Sequence, residues 1–526
     1  RKIFAYTRSH AGEVILCVVN LSRHAQPVEL DLQVFAGRVP VELLGRTPFP
    51  PIGELPYLLT LPAYGFYWFL LAEEAEVPSW HQAIPEPLPD FVTVVMRDTL
   101  EAIDEPQNRR LLERQALMPF AKNQRWFAAK DAAIADIAMG ETAVLVPGPD
   151  GILVQTLDLR LADGSTHKYL LPLAVAWGED HLHTSSPLLP FTLAKARRGP
   201  RLGALHDATA GDVLAHRLLA DMRAERRIEG RHGTLVFRAG SKLRALGAFE
   251  DPSVKRLGVE QSNTSMMIGR DVIVKIYRRL QSGVHPEVEI GHFLTEVGGF
   301  ANTPPFLGSL EWIGEDGTSM ALAAAFGFVL NQGDGWSYTI DFLERELEPL
   351  VLAAAGSEDP LAAGDSAVFE LFADVARRLG VRTADMHLAF AIDTDDPAFA
   401  VEPVTRADLA RWVDGVEQQA VTALAALERA RDGLDAATRA EIDAVRALEV
   451  PLAEELAALR ELTPSAQKTR LHGDYHLGQV LVARDDVYIL DFEGEPARPL
   501  DERRAKMAVH KDVAGMLRSF DYAAET

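Results

Sequence analysis

The chain has 526 residues, too many for one compact core and enough for about three domains. A net charge of −23 argues against nucleic acid as a partner, because phosphate contacts need clustered Lys and Arg. Hydrophobic content of 48% is ordinary for a globular protein, and the apolar run Met320–Leu330 falls far short of a membrane span. The one cysteine, Cys17, excludes an intramolecular disulfide framework and fits a reducing cytoplasm, where we expect the protein to reside.

The sequence opens at Arg1 and enters a strand at once, Ile3-Phe4-Ala5-Tyr6, as the interior of a longer polypeptide would. Residues 1–73 read as an all-β sandwich. Val14-Ile15-Leu16-Cys17-Val18-Val19 is a buried strand, Val28-Glu29-Leu30-Asp31-Leu32 alternates, and Tyr64-Gly65-Phe66-Tyr67-Trp68-Phe69-Leu70 closes the unit. Glu29 and Asp31 share one polar face and are expected in water. Residues 74–89 are rich in Pro and Glu and predict a semi-rigid linker. From 90 to 201 a mixed region begins with a helix around Arg109-Leu111-Leu112-Arg114-Leu117 and continues into strands such as Ile152–Leu157. Its Trp126 and Phe127, beside Arg125 and Lys130, are either core or a stacking platform for a sugar, and core is the commoner use of such a pair.

Residues 202–330 have the pattern of a small β-rich lobe. Ser262, Asn263, Thr264 and Ser265 form a small polar segment that can cradle phosphates through backbone N–H groups and hydroxyls. Lys275 stands in the apolar strand Asp271-Val272-Ile273-Val274-Lys275-Ile276-Tyr277, where a charge needs a partner, whereas Arg278 and Arg279 suit a strand end facing water. Pro286 fits the first position of a helix, with Glu287 and Glu289 in its first turn. Glu289 shares a face with His292 and Phe293, so it is the expected partner of Lys275 in preference to Glu287. Met320–Leu330 predicts a buried strand, with Phe328 and Val329 as a hinge that could contact adenine. Residues 331–526 turn helical: Ile340–Ala354, Ser366–Leu379, and Arg406–Leu459 with breaks at Gly433 and Pro451.

The most informative segment is Leu471-His472-Gly473-Asp474-Tyr475-His476-Leu477-Gly478-Gln479-Val480-Leu481, followed by Ile489-Leu490-Asp491-Phe492-Glu493-Gly494. In phosphoryl transfer an Asp accepts the proton of the attacking hydroxyl, an amide five places on holds a metal ion, and a second acid follows after one hairpin. Asp474, Gln479 and Asp491 have that arrangement, with Gln479 where Asn is usual. Strand-like runs at Gln479-Val480-Leu481-Val482 and Val487-Tyr488-Ile489-Leu490 flank a turn at Arg484-Asp485-Asp486. Two ordinary loop acids would not come with both strands and the amide. His472 and His476 read as structural imidazoles, since a zinc site would need a third ligand nearby.

Together these residues resemble the phosphotransferases that act on aminoglycosides, choline and sugars. Gln124–Lys130, Glu260–Ser265, Asn331–Trp336 and Asp491–Pro496 are similar to bacterial maltokinase, and residues 1–73 to the carboxy-terminal β-sandwich of trehalose synthase, in the order of a natural fusion. The resemblance implies a multidomain chain: a sandwich, then a bilobal α+β protein-kinase-like fold with a mainly helical C-lobe and, at 90–201, a cap subdomain. It implies transfer of the γ-phosphoryl of ATP to the anomeric hydroxyl of maltose, giving α-maltose 1-phosphate for α-glucan synthesis. Asp474 would be the base, Gln479 and Asp491 the Mg²⁺ ligands, Lys275 and Glu289 the phosphate-positioning pair, and Ser262–Ser265 the phosphate loop. Maltose and ATP are the implied partners, with a trehalose synthase domain upstream and neither nucleic acid nor membrane. Family members usually carry further C-terminal helices beyond the point matching Thr526, and the amylase-like barrel is not in this sequence, so isomerase activity does not carry over. The alternatives are an aminoglycoside or choline kinase, which the acidic balance suits, and a non-catalytic scaffold fragment.

Overall fold

The computed structural model describes residues 2–10, 13–44, 47–53, 55–72, 91–129, 132–249, 251–258, 263–354, 366–496 and 498–526, without the side chains of 347–354, 366–369, 371 and 432. The linker expected over 74–89, Lys130, and Ser262 with its neighbours Glu260 and Gln261 lie outside these residues. Two compact units emerge, Arg1–Asp90 and Phe91–Thr526.

The first unit is β-rich. Strands Ile3–His10, Glu13–Asn20, Phe66–Ala72 and Val39–Glu42 make one antiparallel sheet in that order, and Gln26–Leu30 pairs with Tyr57–Leu61. Leu16, Val18, Leu61, Phe69 and Leu71 fill a core of its own, while Glu29 and Asp31 are exposed as their alternation predicts. With an independent core, this unit should be dispensable for the folding of the second. Deleting residues 1–73 is expected to leave the thermal unfolding of the remainder cooperative and at its original midpoint. A lowered or broadened transition would show otherwise.

The second unit contains two seven-stranded sheets. The first runs Thr93–Val95, Thr192–Arg198, Arg201–Asp207, Thr166–Trp177, Ile152–Leu161, Ile134–Val146. Trp126 and Phe127 are both 2% exposed in its core, packed on Tyr169 at ring-centroid distances of 5.8 and 5.2 Å, so they are core aromatics and not a sugar platform. The helix expected around Arg109 is present but interrupted: Pro106–Leu111 and Leu117–Asn123 flank a π-helical turn at Leu112–Ala116. The boundary expected at 201 cuts a hairpin, because Arg201–Asp207 pairs with Thr192–Arg198 and belongs to this sheet.

The second sheet runs Arg227–Gly230, Gly233–Ala239, Phe306–Gly314, Ser319–Gly327, Val272–Tyr277, Asn263–Ile268, Val254–Leu257. Two expectations change here. Asn263, Thr264 and Ser265 are not loop but the start of a strand, each paired in register with Tyr277, Ile276 and Lys275. Arg278 does not face water: it is wholly buried, bonded through Nη2 to Asp207 Oδ2 at 2.6 Å and Thr209 Oγ1 at 2.8 Å, and through Nε to Thr264 Oγ1 at 2.8 Å. Its guanidinium lies 4.9 Å from the Trp126 ring centre, tying the two sheets together. Arg279 is exposed as expected.

Helices Gly335–Ala354, Ser366–Phe390, Arg406–Ala430, Ala436–Ala447, Glu449–Glu461 and His510–Glu525 dominate the rest. A capping box at Thr405 and Asp408 starts the third of these. The second break in the 406–459 stretch comes at Leu448, with Pro451 inside the first turn of the next helix, where its missing N–H costs nothing. No helix among the described residues is long and apolar enough to cross a membrane.

Candidate active site

Lys275 sits on the interior strand Val272–Tyr277, where Val274 and Ile276 point into the small-lobe core and Lys275 points the other way. Its ammonium, on a side chain 8% exposed, meets three carboxylates: Glu493 Oε1 at 2.7 Å, Asp491 Oδ1 at 2.8 Å and Glu287 Oε1 at 3.1 Å. Successive helix residues are about 100° apart, so Glu287 and Glu289 on helix Pro286–Glu296 point roughly opposite ways. Glu287 faces Lys275 and also accepts the Tyr277 hydroxyl at 2.6 Å. Glu289 faces away and is held by Arg470 and Arg504, each at 2.6 Å. The expected Lys275–Glu289 pair is therefore corrected to Lys275–Glu287. Glu289, His292 and Phe293 do share a face, but it is the other one. Burial pushes the Glu287 carboxyl up, to about 8, against the pull of Lys275, because Glu493 and Asp491 crowd the same ammonium.

Asp491 follows the hairpin Val480–Ala483 and Asp486–Ile489, which turns through Arg484 at a φ of +58°. Asp491 itself holds a φ of +66°, a left-handed conformation that Asp tolerates better than most side chains. That kink aims one carboxylate oxygen at Lys275 and the other at the Gln479 amide, 3.1 Å away. Burial raises the Asp491 carboxyl, yet the Lys275 charge and hydrogen bond outweigh it and hold the group below the usual carboxylate range.

The loop carrying Asp474 is set from both sides. Gly473 takes a φ of +87°, open to glycine, and lets the chain reverse before Asp474. The buried Asp512 carboxylate, in the first turn of helix His510–Glu525, accepts the backbone N–H groups of His472 and Gly473 at 3.0 Å each, and the His387 imidazole at 3.0 Å. Burial raises its carboxyl, but the His387 bond and the His472 charge keep it below the usual range. His472 bonds the Leu490 carbonyl at 2.9 Å through Nε2, linking the Asp474 loop to the residue before Asp491. His476 Nδ1 accepts the Gly478 N–H at 3.1 Å and caps the turn Leu477–Gln479. Both imidazoles are structural, as expected from sequence.

Of the phosphate-cradling residues, Asn263 faces the cleft and donates to Glu493 Oε1 at 2.9 Å. Thr264 faces the opposite side, toward Arg278, and Ser265 stands beside Lys275 with its hydroxyl enclosed. The strand Ser319–Gly327 leads into half-buried Phe328 and Val329. The Phe328 N–H is used by the Asp271 carbonyl at 2.8 Å and the Val329 carbonyl by the Asn331 amide at 2.9 Å.

Sequence reasoning missed two groups. Glu493 is two places after Asp491, and that spacing was the available signal. Asp512 had none, since a single acid in an amphipathic helix looks like surface.

With Glu287 as the pair, Glu287→Gln is expected to lower turnover at this site well below that of Glu289→Gln. Glu289→Gln should chiefly lower the melting temperature, because it weakens the hold on Arg470, which is 1% exposed. Turnover and melting of both variants check this. The reverse order of turnover would restore Glu289 as the functional partner.

Comparison with known proteins places this geometry. Residues 1–68 match the maltogenic amylase C-terminal domain, and residues 253–494 match the phosphotransferase enzyme family. A trehalose synthase of Pimelobacter sp. (strain R48) is 60% identical over 75 residues, which is 14% of this chain and 13% of that protein, so the chain spans only about an eighth of that relative. A glucosamine kinase of Streptacidiphilus jiangxiensis is 28% identical over 405 residues, 75% of this chain and 77% of that protein. A solved structure of glucosamine kinase in complex with glucosamine, ADP and inorganic phosphate superposes with a TM-score of 0.50 at 23% identity, covering 79% of each chain, a likeness of fold. The chain thus joins a domain of the maltogenic amylase C-terminal type to a phosphotransferase-family domain that resembles glucosamine kinase.

Proposed function

We propose that this chain is an ATP-dependent sugar kinase that phosphorylates maltose at its anomeric hydroxyl. The observation that carries the kinase reading is the convergence of Lys275, Gln479 and Asp491 from distant segments, on a loop that also bears Asp474. Lys275 would fix the phosphate tail, and half-buried Asp474 would accept the proton of the sugar hydroxyl. Asn263 would lie along the phosphates, with Phe328 and Val329 against adenine.

A magnesium ion fits the donor set. Asp491 and Glu493 offer hard carboxylate oxygens within 4.8 Å of each other, and Gln479 offers an amide oxygen by rotation of the group that now turns its nitrogen to Asp491. Asp491 and Gln479 would hold it, with Glu493 alongside, and it would neutralise phosphate charge. The maltose assignment is supported by the amylase-type domain in the same chain and by the segments resembling maltokinase. Glucosamine is the second reading, favoured by the names of the relatives that match most of the chain. We expect the chain to act in the cytoplasm, alongside an upstream trehalose synthase domain.

If Asp474 takes the hydroxyl proton, the sugar oxygen attacks phosphorus and the bond from C1 to that oxygen never breaks. α-Maltose labelled with oxygen-18 at C1 should then give α-maltose 1-phosphate with the label in the bridging position, read by ³¹P NMR. This differs from a route in which two carboxylates flank a glycosidic bond and C1 is attacked. Label loss, or product formed from inorganic phosphate without ATP, would rule the reading out. Turnover of glucosamine in preference to maltose would keep the kinase and replace its acceptor.

A further inference from the structure

Behind helix Pro286–Glu296, on the side away from Glu287, lies a half-open cavity of about 520 Å³, within the range that holds a small ligand. Its walls include Val288, His292 and Phe293 of the helix and Phe306, Ser309 and Ala321 of the sheet. Of its four acids, three are already matched by guanidinium groups, Glu289 by Arg470 and Arg504, Glu311 by Arg238 at 3.4 Å and Glu225 by Arg244 at 2.9 Å, and the fourth, Asp396, accepts the Ala398 N–H at 2.9 Å and lies in the field of Arg470 and Arg504. A charged ligand would therefore gain little there. Two of the cavity's other polar groups have no hydrogen-bond partner among the described residues, the ring Nδ1 of His285 and the hydroxyl of Ser309, and Ser309 is the one on the sheet. It is 1% exposed, it lines the cavity, and its hydroxyl has no hydrogen-bond partner among the described residues. An enclosed hydroxyl left unbonded is costly, which makes it a group waiting for a partner.

Ser309 also belongs to a cross-strand row. Arg238 pairs with Ser309, Ser309 with Ala324, Ala324 with Lys275, and Lys275 with Ser265. Paired residues share a sheet face, so the cavity and Lys275 lie on one face, with the helix that carries Glu287 packed over it.

We propose that this cavity binds a neutral, mainly apolar small molecule carrying one hydrogen-bonding group, and that its occupancy restrains helix Pro286–Glu296 and with it the Lys275–Glu287 pair. The apolar body would lie on Val288, Phe293 and Phe306, and the polar group would meet Ser309. The binding half is independent of the kinase reading, and only the effect on phosphoryl transfer rests on it.

The probe is indole, whose N–H can donate to Ser309 Oγ, titrated into the full chain by calorimetry. One-site binding is expected, weakened about fivefold in Ser309→Ala, which removes only the hydroxyl. Ala321→Phe, which fills the cavity, should abolish it. Circular dichroism and a cooperative melt confirm that each variant is folded, and Ser309→Ala decides alone if Ala321→Phe does not fold. Hydrogen exchange should show slower exchange across residues 287–296 when indole is bound. Absence of heat up to the solubility limit, binding untouched by Ser309→Ala, displacement of indole by ATP with magnesium, or unchanged exchange over the helix would overturn the proposal. A chain that binds indole in this way yet phosphorylates no sugar would overturn the kinase reading and leave the site standing.

Discussion

Asp474→Ala is expected to lower phosphoryl transfer by about 10²–10⁴-fold, the range associated with loss of a general base. ATP binding should survive, since the groups proposed to hold the nucleotide (Lys275, Asp491, Gln479 and the segment at Phe328) are elsewhere. Nor should the loop collapse, because its backbone is fixed by Asp512 through the N–H groups of His472 and Gly473 and not by the Asp474 side chain. The measurement is single-turnover transfer with maltose, alongside equilibrium titration of ATP. Turnover near that of the unaltered chain would remove Asp474 from the reaction. Equal loss of ATP affinity would move it from base to nucleotide ligand.

Asp207→Ala should be the most destabilising single change in the second unit's interior, at about 3–5 kcal/mol, the usual cost of stranding one partner of a buried ion pair. Arg278 would keep its charge at zero exposure, with the Leu170 carbonyl at 3.2 Å, the Thr209 and Thr264 hydroxyls and the Trp126 ring still beside it. Arginine cannot escape by losing its proton. The Asp207 carboxylate also accepts the Thr209 N–H at 3.0 Å and caps the turn Ala208–Ala210, so its removal loosens the exit from the first sheet. Urea unfolding of the chain and its variant measures the difference. The double variant Asp207→Leu with Arg278→Met should recover much of the loss, since an apolar pair of similar volume desolvates no charge. A loss below about 1 kcal/mol in the single variant would mean that Arg278 finds water, and the buried-node account would fail.

What could be read from the sequence was what periodicity and turn chemistry encode locally. The strand Val272–Tyr277, the helix start at Pro286, the hairpin from Val480 to Ile489 and the spacing of Asp474, Gln479 and Asp491 all announce themselves within a few residues. What could not be read depends on partners far away in the chain. Arg278 looked like a strand-end charge because nothing beside it names Asp207, 71 positions upstream. Asn263–Ser265 looked like a loop because small polar residues favour turns, yet Thr264 serves a buried guanidinium and Ser265 fills a place beside Lys275, uses visible only once the sheet is assembled. The exchange of Glu289 for Glu287 has a plainer cause. Periodicity says which residues share a helix face, but not which face meets the strand.

The Asp512 clamp bears on the order in which the molecule can come to life during synthesis. Chains emerge from the ribosome N-terminus first, so Lys275, Asp474 and Asp491 are all outside before Asp512 appears. Until then the N–H groups of His472 and Gly473 lack the carboxylate that fixes them, and the His472 bond to the Leu490 carbonyl is left to hold the loop. A nascent chain that already carries Lys275, Asp474 and Asp491 would hold that loop less firmly until the helix His510–Glu525 has followed it out.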